Sequence, residues 1–430
     1  MKRPELLLPA SNPEVLQTAV RYGADAVYIG GNAFGLRAAA RNFSPDEMRA
    51  GVSFAHEHGV KIYVTVNIFA HNEDMEKLPA YLRELEEMQP DALIISDPGV
   101  FDLACQYAPS IERHISTQAN NTNYGTYRFW NRLGAKRVVC ARELSIAEIA
   151  QIRQNIPEEM EMEAFVHGAM CMSYSGRCLM SNFLTGRDAN RGACTHPCRW
   201  YYDEADIAKH FAVQEKSRPG EVMEVTEDER GTSIFHSKDL CMIDHIPDLI
   251  RAGIDSFKVE GRMKNALYVA TVCRAYRDAI DTLLNRSVND ISRDSLNRYQ
   301  EKLDWYNEQV RSCTYRDFCT GFFYGRPDET AQVYEGDAYH EGRTYLGIVG
   351  ELGTSELESE DGKVFRLEQK NKFCVGDEIE VMGFNGRDRR AVVISIKDSD
   401  GNEQADAPHA KQQLTVTLSE PVCPGEIIRK

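Results

Sequence analysis

The chain has 430 residues, of which 42% are hydrophobic and 27% charged, and its formal net charge is −16. These values are typical of a globular protein and leave room for one large α/β domain with a small appendage. The apolar run 6–8 is too short for a secretory leader and no run of 18 apolar residues occurs, so we expect no membrane segment and a cytoplasmic location. The acidic balance argues against a broadly basic nucleic-acid-binding surface, although charge can be arranged locally.

A repeated pattern of an amphipathic stretch, a turn and a short apolar strand runs through the first 270 residues. Short strands that alternate with helical stretches predict βα units and a parallel sheet. Roughly eight such units predict a closed, irregular (β/α)8, or TIM-like, barrel, to which we assign residues 1–330. A doubly wound open sheet is the alternative, but no GxGxxG turn follows the first strand. The strand-like runs are 22–30, 60–68, 89–97, 113–120, 133–141, 161–168 and 252–261.

Polar side chains follow these strands at their carboxyl ends, where a barrel gathers its chemistry. Four of them are our candidates for catalysis or substrate orientation: Gln118, His167, Glu260 and Arg262. Each of them could instead be an ordinary hydrogen-bonded polar residue. In the run KVEGRMK (258–264), the charged residues could form an internal ion pair at a strand–helix junction. The full set at the strand ends is Asn67, Asp97, Gln118, Arg142, Glu143, His167, Lys238, Asp239, Glu260 and Arg262.

Four cysteines fall within 28 residues, at Cys171, Cys178, Cys194 and Cys198. Thiolates are the preferred ligands of iron–sulfur clusters and of structural zinc, and both usually take four. The spacing is looser than that of a zinc ribbon and favours a larger cluster, while zinc, buried structural cysteines and redox thiols remain alternatives. Free thiols also agree with a reducing compartment.

Arginines surround these cysteines in an otherwise acidic chain. They make the segment locally positive and suit an anion site beside a cluster. They could equally pair with distant carboxylates or balance an anionic cluster. Our candidates for binding a cofactor or an anion are Arg177, Arg191 and Arg199.

The rest of the chain divides into an insertion, a helical stretch and a β-rich end. Residues 203–232 are acid-rich and predict an insertion at the barrel mouth, after the cysteine loop 171–198. Helical stretches at 265–285 and 291–312 close the first domain, and we assign no role to Cys313 and Cys319, which follow. Short alternating strands then predict a small antiparallel β-barrel, assigned to residues 331–430. Such modules often bind RNA or another domain, and a structural cap is equally compatible.

The run EAFVHGAMCMSYSGRCLMS (163–181) resembles the U32 family, which is often labelled collagenase-like peptidase. Further segments match in the family's order: ELLLPASNPEV near the start, RGACTHPCRW, HSKDLCMI and FKVEGRMK. The resemblance therefore covers nearly the whole chain. Within the family, the sequence is most similar to the members that modify the wobble uridine of bacterial tRNA.

This resemblance implies hydroxylation of that uridine to 5-hydroxyuridine, with prephenate as a small carboxylate co-substrate. It implies a [4Fe–4S] cluster on Cys171, Cys178, Cys194 and Cys198. Some relatives take the last ligand from a later loop, so Cys241 is an alternative to Cys198. The implied partners are tRNA and a candidate paralogous subunit.

Two other functions remain open. The family label suggests a peptidase, but the sequence has neither an HExxH zinc motif nor a GxSxG elbow. A cysteine protease that pairs one clustered thiol with His167 or His196 is formally compatible. A non-catalytic RNA-binding protein, in which metal only braces a loop, is the third hypothesis.

Overall fold

The structure is a computed structural model that describes residues 2–35, 42–170, 187, 211–214, 222–228, 231–233, 237–284, 290–325, 327, 339–350, 362–384 and 386–430. The four candidate cluster cysteines lie outside these residues, as do Arg177, Arg191, Arg199 and His196. Most of the predicted insertion 203–232 also lies outside them.

The described part of the first 330 residues is built on a closed parallel barrel. Its strands, in chain order, are β1 (Glu5–Pro9), β2 (Ala26–Gly30), β3 (Lys61–Val66), β4 (Ala92–Ile95), β5 (Glu112–Ile115), β6 (Arg137–Val139), β7 (Glu161–Ala169), β8 (Phe211–Gln214), β9 (Val222–Asp228), β10 (Gly231–Ser233), β11 (Asp239–Cys241), β12 (Ser256–Val259) and β13 (Phe318–Cys319). Strands β1 to β7 pair in sequence, and β12 pairs in parallel with both β1 and β7. Eight parallel strands therefore close on themselves, and the predicted barrel is confirmed.

The remaining strands decorate the barrel. Strand β11 pairs antiparallel with the end of β7, and β13 pairs with β11. Strands β8, β9 and β10 form a separate antiparallel sheet.

Helices connect the strands in the order a (β/α) barrel requires. They are α1 (Pro13–Arg21), α2 (Pro45–Glu57), α3 (Asn72–Met75), α4 (Leu78–Met88), α5 (Pro98–Tyr107), α6 (Tyr124–Arg132), α7 (Ile146–Gln154), α8 (Ile246–Arg251), α9 (Ala266–Leu283), α10 (Arg293–Glu301) and α11 (Leu303–Arg311). Side-chain caps explain several starts: Ser44 and Ser145 each form a capping box with the glutamate three residues later. No helix among the described residues is long and apolar enough to cross a membrane.

A network of buried charges fills one level of the barrel interior. Arg137 Nη1 lies 2.6 Å from Glu5 Oε1 and 3.0 Å from Glu163 Oε2, and its Nη2 lies 2.7 Å from Glu161 Oε2. Lys258 Nζ lies 2.8 Å from Glu163 Oε1. These side chains come from β1, β6, β7 and β12 and can meet only inside the barrel. The network therefore ties the closing strands to one another through their side chains.

The carboxylates of this network stay ionised. Burial alone would raise the pKa of Glu163, but the charges of Lys258 and Arg137 outweigh it and hold that pKa at about 2. Arg137 and Lys2 likewise overcome the burial of Glu161 and hold its pKa at about 2. Such a network is stable only while every charge keeps its partners.

The C-terminal domain is a small antiparallel β-barrel, as predicted. Its strands are β14 (Tyr345–Ile348), β15 (Val364–Glu368), β16 (Phe373–Cys374), β17 (Glu378–Met382), β18 (Arg389–Lys397), β19 (Glu403–Gln404), β20 (Asp406–Ala407), β21 (Gln413–Leu418) and β22 (Ile427–Arg429). The main sheet runs β14-β22-β17-β18-β21-β15, and a bridge from Gly350 to Arg366 nearly closes it.

Buried polar contacts fix this domain against the outer helices of the parallel barrel. The Tyr22 hydroxyl, at the end of α1, donates to the Met382 carbonyl at 2.7 Å and accepts from the Ile427 amide at 3.2 Å. Arg274 of α9 donates to Asp388 Oδ2 at 2.9 Å. The domain therefore packs on α1 and α9.

Replacing Arg137 with methionine should lower the free energy of unfolding by about 3–5 kcal/mol, because three carboxylates lose a buried partner. Lys2→Met removes an exposed partner of Glu161 and should cost less than about 1 kcal/mol. Urea unfolding at pH 7 measures both.

The loss in the free energy of unfolding caused by Arg137→Met should become smaller as the pH falls. In the folded wild type, Glu161 and Glu163 have pKa values lowered from 4.5 to about 2, so their contribution to stability is present above about pH 4.5 and is lost as the pH falls toward 2. A deficit that stays constant from pH 7 to pH 3 would contradict this account of the network.

Candidate functional site

The carboxyl ends of the barrel strands carry a hydrogen-bonded set of polar side chains around Gln118. This residue lies in a short 3₁₀ turn, Thr117–Ala119, directly after β5. Its amide oxygen accepts hydrogen bonds from Asn67 Nδ2 at 2.9 Å and Ser96 Oγ at 3.0 Å. Since the oxygen is already engaged, the carboxamide orientation is fixed and the NH₂ group is what Gln118 can offer to a ligand.

Arg262 lies on the other side of β3 from Gln118 and is almost fully buried. Its Nη1 donates to Thr65 Oγ1 at 3.1 Å and its Nη2 to Asn42 Oδ1 at 2.9 Å. A Cβ atom at Gly30 would lie 2.5 Å from Nη1, so only glycine lets the guanidinium cross the end of β2. Thr65 is the next-to-last residue of β3, two residues before Asn67, the partner of Gln118. One strand thus positions two of the predicted residues.

Glu260 is paired with Arg142 rather than buried within its own strand–helix junction. Glu260 Oε2 lies 3.9 Å from Arg142 Nη2, and both side chains are about 15% exposed. The Arg142 guanidinium also lies 4.1 Å from the centre of the Phe165 ring. Arg142 follows β6 and Glu260 follows β12, so the pair crosses the end of β7. Sequence reasoning placed Arg142 at a strand end but did not select it, because nothing in the chain order indicates this partner.

His167 lies beside Glu260, whose backbone amide donates to the His167 carbonyl oxygen at 2.8 Å, but its ring faces the helix layer. Its ring is enclosed by Tyr268 and Tyr276 of α9 and by Phe318 of β13, and Nδ1 lies 3.4 Å from the Tyr276 hydroxyl oxygen. Burial lowers its pKa to about 4, although the charge of Asp239 opposes this. The imidazole is therefore neutral near pH 7 and faces the helix layer.

The chain between Met170 and Ser237, here called the cysteine segment, begins and ends at the carboxyl ends of the barrel strands. Strand β7 ends at Ala169, and Ser237 Oγ donates to the Met170 carbonyl at 3.1 Å just before β11 begins. Gly168 has φ +107°, and a Cβ there would lie 2.4 Å from the Glu260 carbonyl oxygen. The end of β7, two residues before Met170, thus lies against Glu260.

The described cysteines show a different chemistry from that expected of cluster ligands. Burial raises the pKa of Cys140, Cys241 and Cys313 to about 12, so each remains a protonated thiol at neutral pH. The Cys241 sulfur lies 3.9 Å from the Tyr276 hydroxyl oxygen, on the helix side of β11. Within the described ranges, no group of three or more His, Cys, Asp or Glu residues is arranged to hold a metal ion.

The architecture defines a class of protein: a closed parallel barrel with polar side chains at its mouth and an attached antiparallel β-barrel. Residues 11–333 match the family model of peptidase family U32, and residues 343–429 match that of the peptidase family U32 C-terminal domain. The chain belongs to peptidase family U32.

Several relatives with established names are similar over most of the chain. Over 431 residues it is 40% identical to tRNA hydroxylation protein P1 of Bacillus subtilis. The alignment covers 100% of this chain and 95% of that protein. It is 37% identical to tRNA hydroxylation protein P of Escherichia coli, over 89% of this chain and 86% of that protein. The 23S rRNA 5-hydroxycytidine C2501 synthase of Escherichia coli is 36% identical over 69% of this chain and 42% of that protein.

Gly168→Ala should lower the free energy of unfolding by more than the strain of placing an alanine at positive φ. An alanine at positive φ costs about 1–2 kcal/mol, and the contact with the Glu260 carbonyl adds to this. Gly401→Ala is the matched control, because Gly401 has φ +85° with nothing within 4 Å of the added Cβ. Thermal unfolding should show a larger loss for Gly168→Ala; equal losses would mean that the close approach to Glu260 is unimportant.

Proposed function

We propose that this protein is an RNA-modifying enzyme that hydroxylates the wobble uridine of tRNA to 5-hydroxyuridine with the help of an iron–sulfur cluster. Two relatives that match at least 86% of their own length are named tRNA hydroxylation proteins. A third is named for the formation of 5-hydroxycytidine in ribosomal RNA. These names support hydroxylation of RNA at pyrimidine bases.

The observation that carries this proposal is that Gln118, Glu260 and Arg262 lie at the carboxyl ends of the barrel strands, the same end at which β7 leads into the cysteine segment after Met170. A uracil base presents two carbonyl oxygens, which suit the NH₂ donors of Gln118. A base can reach such a mouth only after it leaves its stack, as in other base-modifying enzymes. The mouth would therefore hold the target base next to the cysteines.

The cluster would be held by Cys171, Cys178, Cys194 and Cys198. Four thiolates are the usual ligand set of a [4Fe–4S] cluster, which supplies one-electron redox chemistry when bound. The buried Cys241 sulfur lies 3.9 Å from the Tyr276 hydroxyl oxygen, which favours Cys198 as the fourth ligand. Zinc on the same four thiolates is the alternative.

Arginines would bind the anionic groups of the reaction. Arg142, with only Glu260 as its described counter-charge, is the cation best placed in the described mouth to meet a carboxylate or a phosphate. Arg177, Arg191 and Arg199 would add positive charge from the cysteine segment. A dicarboxylate such as prephenate suits such a set, because each guanidinium can bind a carboxylate with two hydrogen bonds.

No observation on the described residues favours proteolysis. A cysteine protease needs a thiolate beside a histidine. Across the described ranges, no cysteine sulfur hydrogen-bonds to a histidine, and His167 is enclosed by aromatic rings.

Cys198→Ser should lose iron and acid-labile sulfide and should no longer restore 5-hydroxyuridine to tRNA in a strain that lacks the gene. Cys241→Ser should keep both, because its thiol is buried beside the Tyr276 hydroxyl. Iron and sulfide assays on anaerobically purified protein, with nucleoside mass spectrometry, measure the pair. The reverse result would assign the fourth ligand to Cys241. Stoichiometric zinc in the wild type, without iron, would overturn the iron–sulfur proposal.

Arg262→Met should reduce 5-hydroxyuridine formation about 100-fold while iron content is retained, because the mouth loses its fixed cation. Met263→Ala, at the exposed neighbouring position, is the control and should behave as wild type. Melting temperatures exclude simple unfolding. Wild-type hydroxylation by Arg262→Met would remove this residue from the site.

A further inference from the structure

We propose that the outer face of helix α6, on the flank of the barrel below its mouth, binds the phosphate backbone and an unstacked base of the substrate RNA. This inference rests on the proposed function and extends it to a recognition surface outside the mouth. The surface, here the α6 face, consists of Tyr124, Arg128, Phe129, Arg132 and Leu133.

Two exposed stripes run along α6. Tyr124, Arg128 and Arg132 are four residues apart and form the first stripe. Phe129 and Leu133 form the second. Tyr124, Phe129 and Leu133 are 41%, 45% and 48% exposed, and they make up three of the eight large apolar side chains that are exposed among the described residues. Such a concentration on one helix indicates a binding surface rather than scattered surface apolar residues.

The charge of the α6 face is positive, and its arginines form no ion pair with a described carboxylate. Arg128 and Arg132 lie on the face, and Arg113 and Lys136 flank the end of the helix. In the part of the chain that the structure describes, none of these four cations has a carboxylate within 4 Å, whereas many other basic residues of the chain do. Helix α6 itself contains no acidic residue. In a chain of net charge −16, this is a local site for an anion.

The guanidinium of Arg128 lies over the aromatic ring of Tyr124, 5.0 Å from the ring centre, and its Nε donates to the Asn155 carbonyl at 2.6 Å. Its two terminal nitrogens make no hydrogen bond to the described residues. A groove beside them is lined by Asn131, Arg132 and Gln154. Arginines next to exposed aromatic rings are the combination that binds single-stranded RNA, by phosphate contacts and base stacking.

The α6 face begins near the mouth at Tyr124 and runs down the flank of the barrel, to the end where Arg113 and Lys136 lie at the starts of β5 and β6. Gln118 lies six positions before Tyr124, and Asn123 caps the start of the helix. The turn between them is anchored by the buried Asn121, whose Oδ1 accepts from Trp130 Nε1 at 3.0 Å. An RNA strand whose flipped base is held at Gln118 would therefore pass over the start of α6.

Binding of an unmodified tRNA transcript to the full-length protein, at several salt concentrations, tests the α6 face. Arg128→Ala with Arg132→Ala should weaken binding about ten-fold at low salt and reduce the slope of log affinity against log salt by about two. Tyr124→Ala with Phe129→Ala should weaken it about ten-fold without changing that slope.

Arg83→Ala with Tyr107→Ala is the matched control, because Arg83 also lies over a tyrosine ring, at 4.5 Å, on a different flank. It should bind as wild type. If both α6 variants also bind as wild type, the α6 face does not bind RNA, while hydroxylation by the mouth can still stand. If the control weakens binding equally, the effect is not specific to α6 and the inference fails. Absence of any tRNA binding by the wild type would overturn both this inference and the proposed function.

Discussion

The structure depends on one strand, β7, which pairs with β6 and β12 and so closes the barrel. Beyond Phe165 its register with β12 shifts by one residue, and at Gly168 the chain adopts a positive φ. These two irregularities turn the end of β7 away from the barrel and toward β11. The same strand therefore closes the scaffold and delivers the cysteine segment to the mouth. Because the nine residues of β7 do both, a change that shifts the start of the cysteine segment would also disturb the closure of the barrel.

The buried charges explain how this closure is made specific. An apolar barrel interior would tolerate several registers of β7 against its neighbours, since apolar contacts have no direction. Glu163 instead bonds both Arg137 of β6 and Lys258 of β12. A slip of one residue would turn Glu163 to the helix layer, leaving Lys258 without its carboxylate and Arg137 with only Glu5. We infer that the network selects one register rather than adding much net stability.

The sequence predicted the architecture well because the barrel repeats a simple pattern. Alternating apolar strands and amphipathic helices led to the closed barrel, and the change to short alternating strands led to the C-terminal β-barrel. The strand-end rule also led to Gln118 and Arg262. In the fold they contact Asn67 and Thr65, at and just beyond the end of β3. Whether the chosen residues act in catalysis stays a prediction.

Other features depend on contacts between distant parts of the chain. The position of His167 follows from the bulge in β7, which changes which face a residue occupies, and no sequence pattern marks that bulge. Arg142 gains its significance from Glu260, across an intervening strand. The face of α6 is visible only once the fold shows which of its side chains are exposed. The charged residues inside strands β1, β6, β7 and β12 were the one available signal for the buried network.

The central claim is that this polypeptide places an RNA base at the barrel mouth for hydroxylation. The most direct test is mass spectrometry of tRNA nucleosides from a strain that lacks this gene and any paralogue, compared with the same strain carrying the gene again. The account predicts that 5-hydroxyuridine and the wobble nucleosides built on it disappear and then return. Wobble uridines that remain hydroxylated in the deletion strain would contradict it.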